Sequence, residues 1–429
     1  MVPSRPALRV FLLVVLALGA YLPAMQLPFI GDDYHQIPIA RADALAGWDP
    51  LWHDTLLRTR FTYMLLSATL DRAFGFDPAP FHLASIALHV ACVLMLYRIC
   101  VWRRVPRAVA FWGALFFAVQ EGHQEAVMWL AASYDLLVFA FGMAALTAWV
   151  KWLDTGRLNW YFLSLAAFLV AAASKETFWV FALLMAAITA CERRKKALLQ
   201  LSPFLTISAA YIIFIWMTKN KVDDRFAITG SMWIAVFFRG LWDLLLPFGF
   251  VAIAILVWAR RRGDRLLIAF AVLWMILGVL PHSFLTYMPR LASRHTYLAS
   301  AGLALLFGTA MARLSKRVPQ RVFGLVIVIV IGINLEMIWV KKMAQFKERA
   351  EPTELLKIAA ESATSPITID CIPLPDVIAE DALRSVGSEA ILRKQGPQHD
   401  HCFAIEYRDQ NGAVVHMNRR IGKPHGVFY

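Results

Sequence analysis

The sequence predicts an α-helical polytopic membrane protein of about 11 transmembrane helices (residues 1–342), followed by a small extracytoplasmic α/β domain (residues 343–429). Of the 429 residues 59% are hydrophobic, and the apolar residues form repeated long runs rather than alternating with polar ones. Runs of about 20 apolar residues are typical of membrane-spanning helices. After Lys347 the composition changes, because acidic residues there slightly outnumber basic ones.

The loops between the predicted helices alternate in charge. Every second loop is short and rich in Lys and Arg, as at 193–196 and 260–262. By the positive-inside rule these loops and the N-terminus lie in the cytoplasm. The remaining charged groups, around residues 32, 125, 175 and 290, then share the outer side with the tail. Because charges are costly near hydrocarbon unless they face a polar cavity or each other, we expect one wet site there.

The first apolar run, 7–25, follows Arg5 and Arg9, as the core of a signal peptide would. It is long and no clean small-x-small cleavage site follows, so we expect an uncleaved first helix. The formal charge is +13, but the cations lie among hydrophobic segments and no aromatic-interleaved basic patch occurs. Nucleic acid is therefore excluded as a partner, and the lipid bilayer is the expected one.

Three further regions have recognisable patterns. The stretch 41–75 mixes arginines with short apolar runs, which suits helices lying in the membrane interface. A single helix is expected over 241–259. In the tail, helical spacing at 346–362 and strand patterns at 367–372, 402–408 and 413–418, the last two joined by a turn at 409–412, predict a small α/β domain.

Two cysteines, Cys371 and Cys402, lie in the polar tail near predicted strands. Outside the cytoplasm a disulfide persists, and adjacent strands bring two Cα atoms within the reach that the bond needs. We expect a disulfide between them. The alternative is two free, buried thiols.

Asp32 and Asp33 are the first candidates for chemistry, because they stand side by side just beyond the first predicted span. A carboxylate within hydrogen-bond reach of a hydroxyl takes its proton as attack begins, so either is a candidate general base. Either also suits a metal ion or a sugar hydroxyl. The alternative is a solvated turn that happens to carry two acids.

Four other charged residues fall on the expected outer side. Lys175 is a candidate phosphate ligand, although Lys175 and Glu176 also suit a simple ion pair at a helix end. Arg290 and Arg294 are four residues apart, which stacks them on one helix face, and guanidinium groups suit phosphate oxygens. The alternative for both arginines is snorkelling to the interface. Glu125, in a short loop between helices, is either a site residue or a helix cap.

The chain resembles the GT-C superfamily of polytopic glycosyltransferases, most closely the protein O-mannosyltransferases and the transmembrane-TPR mannosyltransferases. The likeness covers about residues 7–340. It is carried by the acid pair at 32–33, Arg60-Phe61-Thr62-Tyr63, the run from Phe117 to Val127 that keeps His123 and Glu125, Ser174-Lys175-Glu176, and Arg294-His295-Thr296-Tyr297-Leu298. Gln120 and Glu121 depart from the family's His-Pro pair, and TPR repeats are absent.

The resemblance implies a glycosyltransferase of a bacterial inner membrane whose donor is a sugar on a polyprenyl phosphate such as undecaprenyl phosphate. Asp32 or Asp33 would be the base of an inverting displacement on the periplasmic face, with Glu125 as a third catalytic residue. The implied substrate-binding residues are His123, Lys175, Glu176, Arg290, Arg294 and Arg60. The acceptor is a glycan, lipid or protein.

The sequence identifies no cofactor and shows no metal-ligand spacing, so a divalent metal ion at the acid pair is left open but not required. Two other functions remain open as well. A lipid-linked oligosaccharide polymerase or ligase needs the same outer site with longer glycans. A transporter is disfavoured because its charged site gathers near the bilayer midplane in broken helices.

Overall fold

A computed structural model describes residues 5–53, 58–219, 232–259, 262–283, 291–392 and 402–421. In this part the chain is mostly helical. The α-helices are Pro6–Tyr21, Asp33–Leu45, Phe61–Phe74, Pro78–Tyr97, Arg107–Val119, Gln124–Met128, Tyr134–Thr155, Leu158–Ala172, Trp179–Cys191, Lys195–Leu199, Ser202–Lys219, Met232–Leu245, Phe248–Trp258, Arg265–Val279, Tyr297–Leu314, Gln320–Glu336, Met343–Ser362 and Asp376–Arg384.

Seven helical segments of the described part are long and apolar enough to cross a membrane, and a bent pair raises the number to eight. Three shorter apolar helices, Arg107–Val119, Leu158–Ala172 and Glu176–Cys191, accompany them. Large apolar side chains such as Phe11 and Val328 are exposed on the outside, as expected of a surface covered by lipid. The chain is a multi-pass membrane protein, and the number of about 11 crossings stays a prediction.

The helix Tyr297–Leu314 lies at the centre of the membrane part, where nearly all of its residues are buried. Small residues let its neighbours approach closely. A Cβ atom added at Gly308 would lie 2.3 Å from the carbonyl oxygen of Val109, and one added at Gly113 would lie 2.6 Å from that of Ala304. The helices Arg107–Val119 and Tyr297–Leu314 therefore pack backbone against backbone, which fixes the loops at their ends.

The prediction of a single helix over 241–259 is wrong. The structure has two helices there, Met232–Leu245 and Phe248–Trp258, which meet at an angle of 72°. Pro247 lies at the break, where it cannot donate a backbone hydrogen bond and its ring clashes with the preceding turn. The apolar run hid this break because both helices are hydrophobic.

The tail contains a four-stranded sheet of β1 (Ile367–Cys371), β2 (Ala390–Leu392), β3 (Cys402–Arg408) and β4 (Val414–Arg420) in the order β2-β1-β3-β4. β1 and β2 are parallel, and the other pairs are antiparallel. Three strands lie close to their predicted positions, whereas β2 and the helix Asp376–Arg384 were not predicted. The turn from β3 to β4 is closed by Asp409, whose Oδ1 accepts hydrogen bonds from the N–H groups of Asn411 and Ala413.

Cys371, at the end of β1, is disulfide-bonded, and the membrane-part cysteines Cys92, Cys100 and Cys191 are free. The side chain of Cys402, the predicted partner, lies outside the described side chains, so the pairing stays a prediction. Residue 402 begins β3, the strand beside β1.

One long helical segment, Gln320–Ser362, joins the membrane part to the tail. It includes a π-helical stretch at Met337–Lys342 and continues directly into the helix Met343–Ser362. The predicted domain boundary at 342/343 lies inside this segment. The last membrane helix and the first helix of the tail are therefore continuous, which brings tail residues to the end of the membrane part.

Candidate active site

Asp33 is the first residue of the helix Asp33–Leu45 and is completely buried. Its Oδ2 accepts a hydrogen bond from the N–H of Ile30 at 3.0 Å, and its Oδ1 accepts one from the N–H of Ala131 at 2.7 Å. Burial raises the pKa of Asp33 to about 8, although the two N–H groups act in the opposite direction. Asp33 therefore ties the loop after the first helix to the short helix Leu130–Ala132.

Asp32 differs from its neighbour because its side chain is partly exposed. Among the described residues no hydrogen-bond donor is paired with its carboxyl group. Partial burial raises the pKa of Asp32, while the positive charges of Arg294 and Arg60, with His35 and Arg349, lower it. Asp32 is thus an available carboxyl group within the field of several cations.

Trp129 lies beside the acid pair and holds two of these cations. The guanidinium carbons of Arg294 and Arg349 are 4.9 and 5.0 Å from the centre of its ring. Its Nε1 donates a hydrogen bond to the carbonyl oxygen of Ile30 at 3.1 Å. A cation–π contact of this kind is stronger when the guanidinium group is shielded from water. Trp129 therefore places two positive charges next to the loop that carries Asp32.

Glu125 joins the same two arginines. Its Oε2 accepts a hydrogen bond from the backbone N–H of Arg294 at 3.2 Å, and its Oε1 lies 3.3 Å from Nη1 of Arg349. Burial alone would raise the pKa of Glu125, but Arg294 and Arg349 outweigh it and hold the pKa below its ordinary value. Glu125 is therefore an ionised carboxylate that orients two guanidinium groups.

A second aromatic ring, Tyr134, holds two more cations. The guanidinium carbon of Arg60 is 4.2 Å and Nζ of Lys175 is 4.9 Å from its ring centre. Lys175 is 1% exposed and donates a hydrogen bond of 2.6 Å to Oδ1 of Asp135. Glu176, at the start of the next helical turn, acts electrostatically on both Arg60 and Asp135.

The two aromatic clusters belong to one charged site. Arg294 interacts electrostatically with Asp135 of the Tyr134 cluster, and Arg60 does so with Asp32 beside the Trp129 cluster. The structure thus brings Asp32, Arg60, Lys175, Glu176 and Arg294 together, and their roles in catalysis or substrate binding stay a prediction. Arg290, also predicted, lies outside the described residues.

His123 has a different setting. Its ring is completely buried, with Nε2 2.7 Å from Oγ of Ser300 and the ring 4.5 Å from that of Tyr297. Burial lowers the pKa of His123 well below its ordinary value, so the ring is neutral. His123 packs beneath the loop that carries Glu125 and has no exposed surface to offer to a ligand.

Sequence reasoning missed four members of the site: Trp129, Tyr134, Asp135 and Arg349. Asp135 had a usable signal, because an acid in the first turn of an apolar membrane helix is costly unless it is paired. Arg349 had none, since it looks like any other charge of the polar helix that begins the tail. It reaches the site only because the long segment Gln320–Ser362 is continuous.

A polar cavity of about 330 Å³ opens on the other side of Glu125 and Arg349. Its wall includes the acids Glu121 and Asp243 and also Lys342, together with amide, hydroxyl and apolar side chains. Carboxylate, amide and hydroxyl groups around a few apolar side chains are a lining that suits a small polyhydroxylated ligand.

The tail closes over the acid loop through two polar contacts. The hydroxyl of Tyr34 donates a hydrogen bond to Oε1 of Glu354 at 3.1 Å, and Nδ1 of His35 lies 2.6 Å from Oδ2 of Asp381. Both contacts start from the two residues that follow Asp33 in the chain. Among the described residues no group of three His, Cys, Asp or Glu side chains is arranged to hold a metal ion.

The fold is similar to that of ArnT. The crystal structure of ArnT from Cupriavidus metallidurans bound to undecaprenyl phosphate is similar with a TM-score of 0.54 and 14% identity, covering 92% of this chain and 87% of that one. The apo structure has a TM-score of 0.56 and 15% identity, covering 90% of this chain and 86% of that one. No family model and no curated protein matches the sequence. The predicted mannosyltransferase branch finds no support in these neighbours.

Proposed function

We propose that the protein is an integral-membrane glycosyltransferase that moves a sugar from a polyprenyl-phosphate donor to an acceptor hydroxyl, with inversion at the anomeric carbon. The observation that carries this proposal is Asp32, a partly exposed carboxyl group without a hydrogen-bond donor among the described residues, beside Arg60, Arg294 and Arg349. Support also comes from the fold, because a structure of the same fold holds undecaprenyl phosphate.

In the proposed reaction Asp32 is the general base. Its carboxylate accepts the proton of the acceptor hydroxyl while the oxygen attacks the anomeric carbon and the bond to the lipid phosphate breaks. A base of this kind contributes about 10²- to 10⁴-fold to the rate. Asp33 does not serve as base, because both of its oxygens are occupied by backbone N–H groups.

Arg60, Arg294 and Arg349 bind the phosphate of the donor and stabilise its charge as it leaves, and the positive charge of the buried Lys175, which is paired with Asp135, acts on the phosphate without contact. Arg60 and Lys175 lie at Tyr134, and Arg294 and Arg349 lie at Trp129. Preorganised donors are most effective where charge develops in the transition state, in a site that excludes water. Glu125 and Glu176 hold these cations in place, and Glu125 also reaches the polar cavity, where sugar hydroxyls would bind.

The proposal includes a location. The site lies on the side that the positive-inside rule assigns to the periplasm of a bacterial inner membrane, together with the tail. The acceptor hydroxyl belongs to a glycan, lipid or protein. We assign His123 to packing beneath the Glu125 loop rather than to substrate, because its ring has no exposed surface.

The test uses the full chain purified into lipid nanodiscs with a panel of undecaprenyl-phosphate-linked sugars. Release of free undecaprenyl phosphate is measured with and without an extract of cell-envelope glycans as acceptor. We expect acceptor-dependent release by the wild type and its loss in Asp32→Asn. Transfer from nucleotide sugars but from none of the lipid-linked ones would overturn the proposed donor.

A further inference from the structure

A basic groove lies at the end of the membrane part opposite to the candidate site. It has a volume of about 570 Å³ and is lined by Arg193, Arg194, Lys196, Trp152 and other residues. The helix Trp179–Cys191 runs from the Lys175 end of the molecule to this groove, a length of about 20 Å at 1.5 Å per residue. The groove is therefore separate from the site proposed for glycosyl transfer.

The three cations of the groove are exposed, and within the described part of the chain none of them forms an ion pair. The nearest acids in the sequence are already engaged. Asp154 lies 3.1 Å from Arg103, and Glu192 lies 2.8 Å from Arg104. The groove thus presents three positive charges that the described acids do not neutralise.

Arg193 occupies an unusual position for a side chain of its size. The N–H of Arg194 donates a hydrogen bond to the carbonyl of Thr189, and the N–H of Arg193 donates one to that of Ala190, which is the pattern of a Schellman helix end. Arg193 has φ of +54°, the left-handed conformation that glycine normally supplies. Glycine would close this helix more easily, so the arginine side chain serves a purpose other than the turn.

The groove continues into an apolar surface. Trp152 and Leu153 form part of its lining. Beside it, Leu199 of the short helix Lys195–Leu199 is 76% exposed, and Leu158, the first residue of the helix Leu158–Ala172, is 65% exposed. A cluster of cations at one end of an apolar, lipid-facing surface matches a molecule with an anionic head and hydrocarbon tails. Basic pockets between helices on the cytoplasmic side bind acidic lipid headgroups in this way.

We propose that this groove binds an anionic phospholipid. Its headgroup phosphate is held by Arg193, Arg194 and Lys196, and its acyl chains lie along the surface formed by Leu158 and Leu199. The bound lipid neutralises the cations and fastens the short helix Lys195–Leu199 to the bilayer. The proposal does not depend on the glycosyltransferase activity.

The test measures lipid binding to the purified full-length protein by native mass spectrometry, with phosphatidylglycerol and phosphatidylethanolamine of identical acyl chains as probes. We expect the wild type to retain phosphatidylglycerol selectively. The triple variant Arg193→Gly, Arg194→Gln, Lys196→Gln should lose about 100-fold in affinity, since each cation near an anionic lipid surface contributes a factor of roughly five.

Arg193→Gly alone separates binding from folding. Because glycine fits the left-handed turn, this variant should keep or raise the melting temperature while its phosphatidylglycerol affinity falls about 5-fold. Arg157→Gln, which removes an exposed cation of the same end outside the groove lining, is the matched control and should change neither quantity. Equal retention of both lipids by the wild type would overturn the proposal, as would displacement of the lipid by inorganic phosphate at comparable concentration.

Discussion

The helix Tyr134–Thr155 carries an ion pair at each end, and the two pairs differ completely in their surroundings. At its start Asp135 pairs with Lys175 at 2.6 Å, and the two side chains are 3% and 2% exposed. At its end Asp154 pairs with Arg103 at 3.1 Å, and the side chains are 34% and 74% exposed. Burying a charged pair costs desolvation that hydrophobic residues of similar size would not incur. The difference fits the proposed function, in which the buried pair belongs to the site of transfer and the exposed pair lies at the opposite end.

The largest effect on sugar transfer is expected at Asp32, the acid whose carboxyl group is available to accept a proton. Asp32→Asn should lower sugar transfer about 10²- to 10⁴-fold, because an amide cannot accept the proton of the acceptor. Asp154→Asn makes the same chemical change at the opposite end and should leave the rate unchanged. The measurement is release of undecaprenyl phosphate from a lipid-linked sugar. Equal rates for both variants and the wild type would remove Asp32 from the site.

The buried pair should be far more sensitive to loss of one partner than the exposed pair. Lys175→Met leaves Asp135 buried and unpaired, which is expected to lower the free energy of unfolding by about 3–5 kcal/mol. Arg103→Met at the other end should cost about 0–1 kcal/mol. Denaturant titration in mixed micelles measures both.

A second substitution sharpens this contrast. Replacing both partners in Lys175→Met/Asp135→Leu should recover most of the lost stability but none of the lost transfer, because an apolar pair packs well but supplies no positive charge to the site. Recovery of activity in the double variant would show that Lys175 is structural only.

Asp33 is expected to behave as a structural residue. In Asp33→Asn the side-chain NH₂ group would face the backbone N–H of either Ile30 or Ala131, so one buried donor loses its acceptor. The expected loss is about 1–3 kcal/mol of stability. At a temperature where the variant stays folded, transfer should fall far less than in Asp32→Asn, because the carboxylate proposed to accept the proton is still present. A loss of transfer as deep as that of Asp32→Asn would contradict this division of roles.

The smallest effect concerns pH. Asp32 acts as base only when ionised, and burial raises its pKa while Arg294, Arg60, His35 and Arg349 lower it. Removing one of these charges in Arg349→Gln lets the pKa rise further. The acidic limb of the pH–rate profile should therefore move to higher pH, by an amount of about one unit or less. Arg194→Gln at the opposite end should leave the limb in place.

The sequence by itself determined the class of the protein, and it predicted that the charged groups gather on one side of the membrane. Long apolar runs and the alternation of basic loops are patterns of hydropathy and charge along the chain. They can therefore be recognised without any three-dimensional information. The same is true of the tail strands β1, β3 and β4, whose alternating residues and Asp-Gln-Asn-Gly turn are local signals. The break at Pro247 was a local signal too, but the apolar run around it concealed its meaning.

Only the tertiary structure distinguished the two acids from each other. Asp32 and Asp33 are equivalent in sequence, yet the N–H groups of Ile30 and Ala131 occupy one and leave the other available. Ala131 is about a hundred residues away along the chain, and no local pattern reveals that it faces Asp33. Arg349 likewise joins Glu125 and Trp129 because a continuous helix carries it there. Hydrogen bonds and ion pairs between distant segments depend on packing, and packing is what a pattern along the chain does not contain.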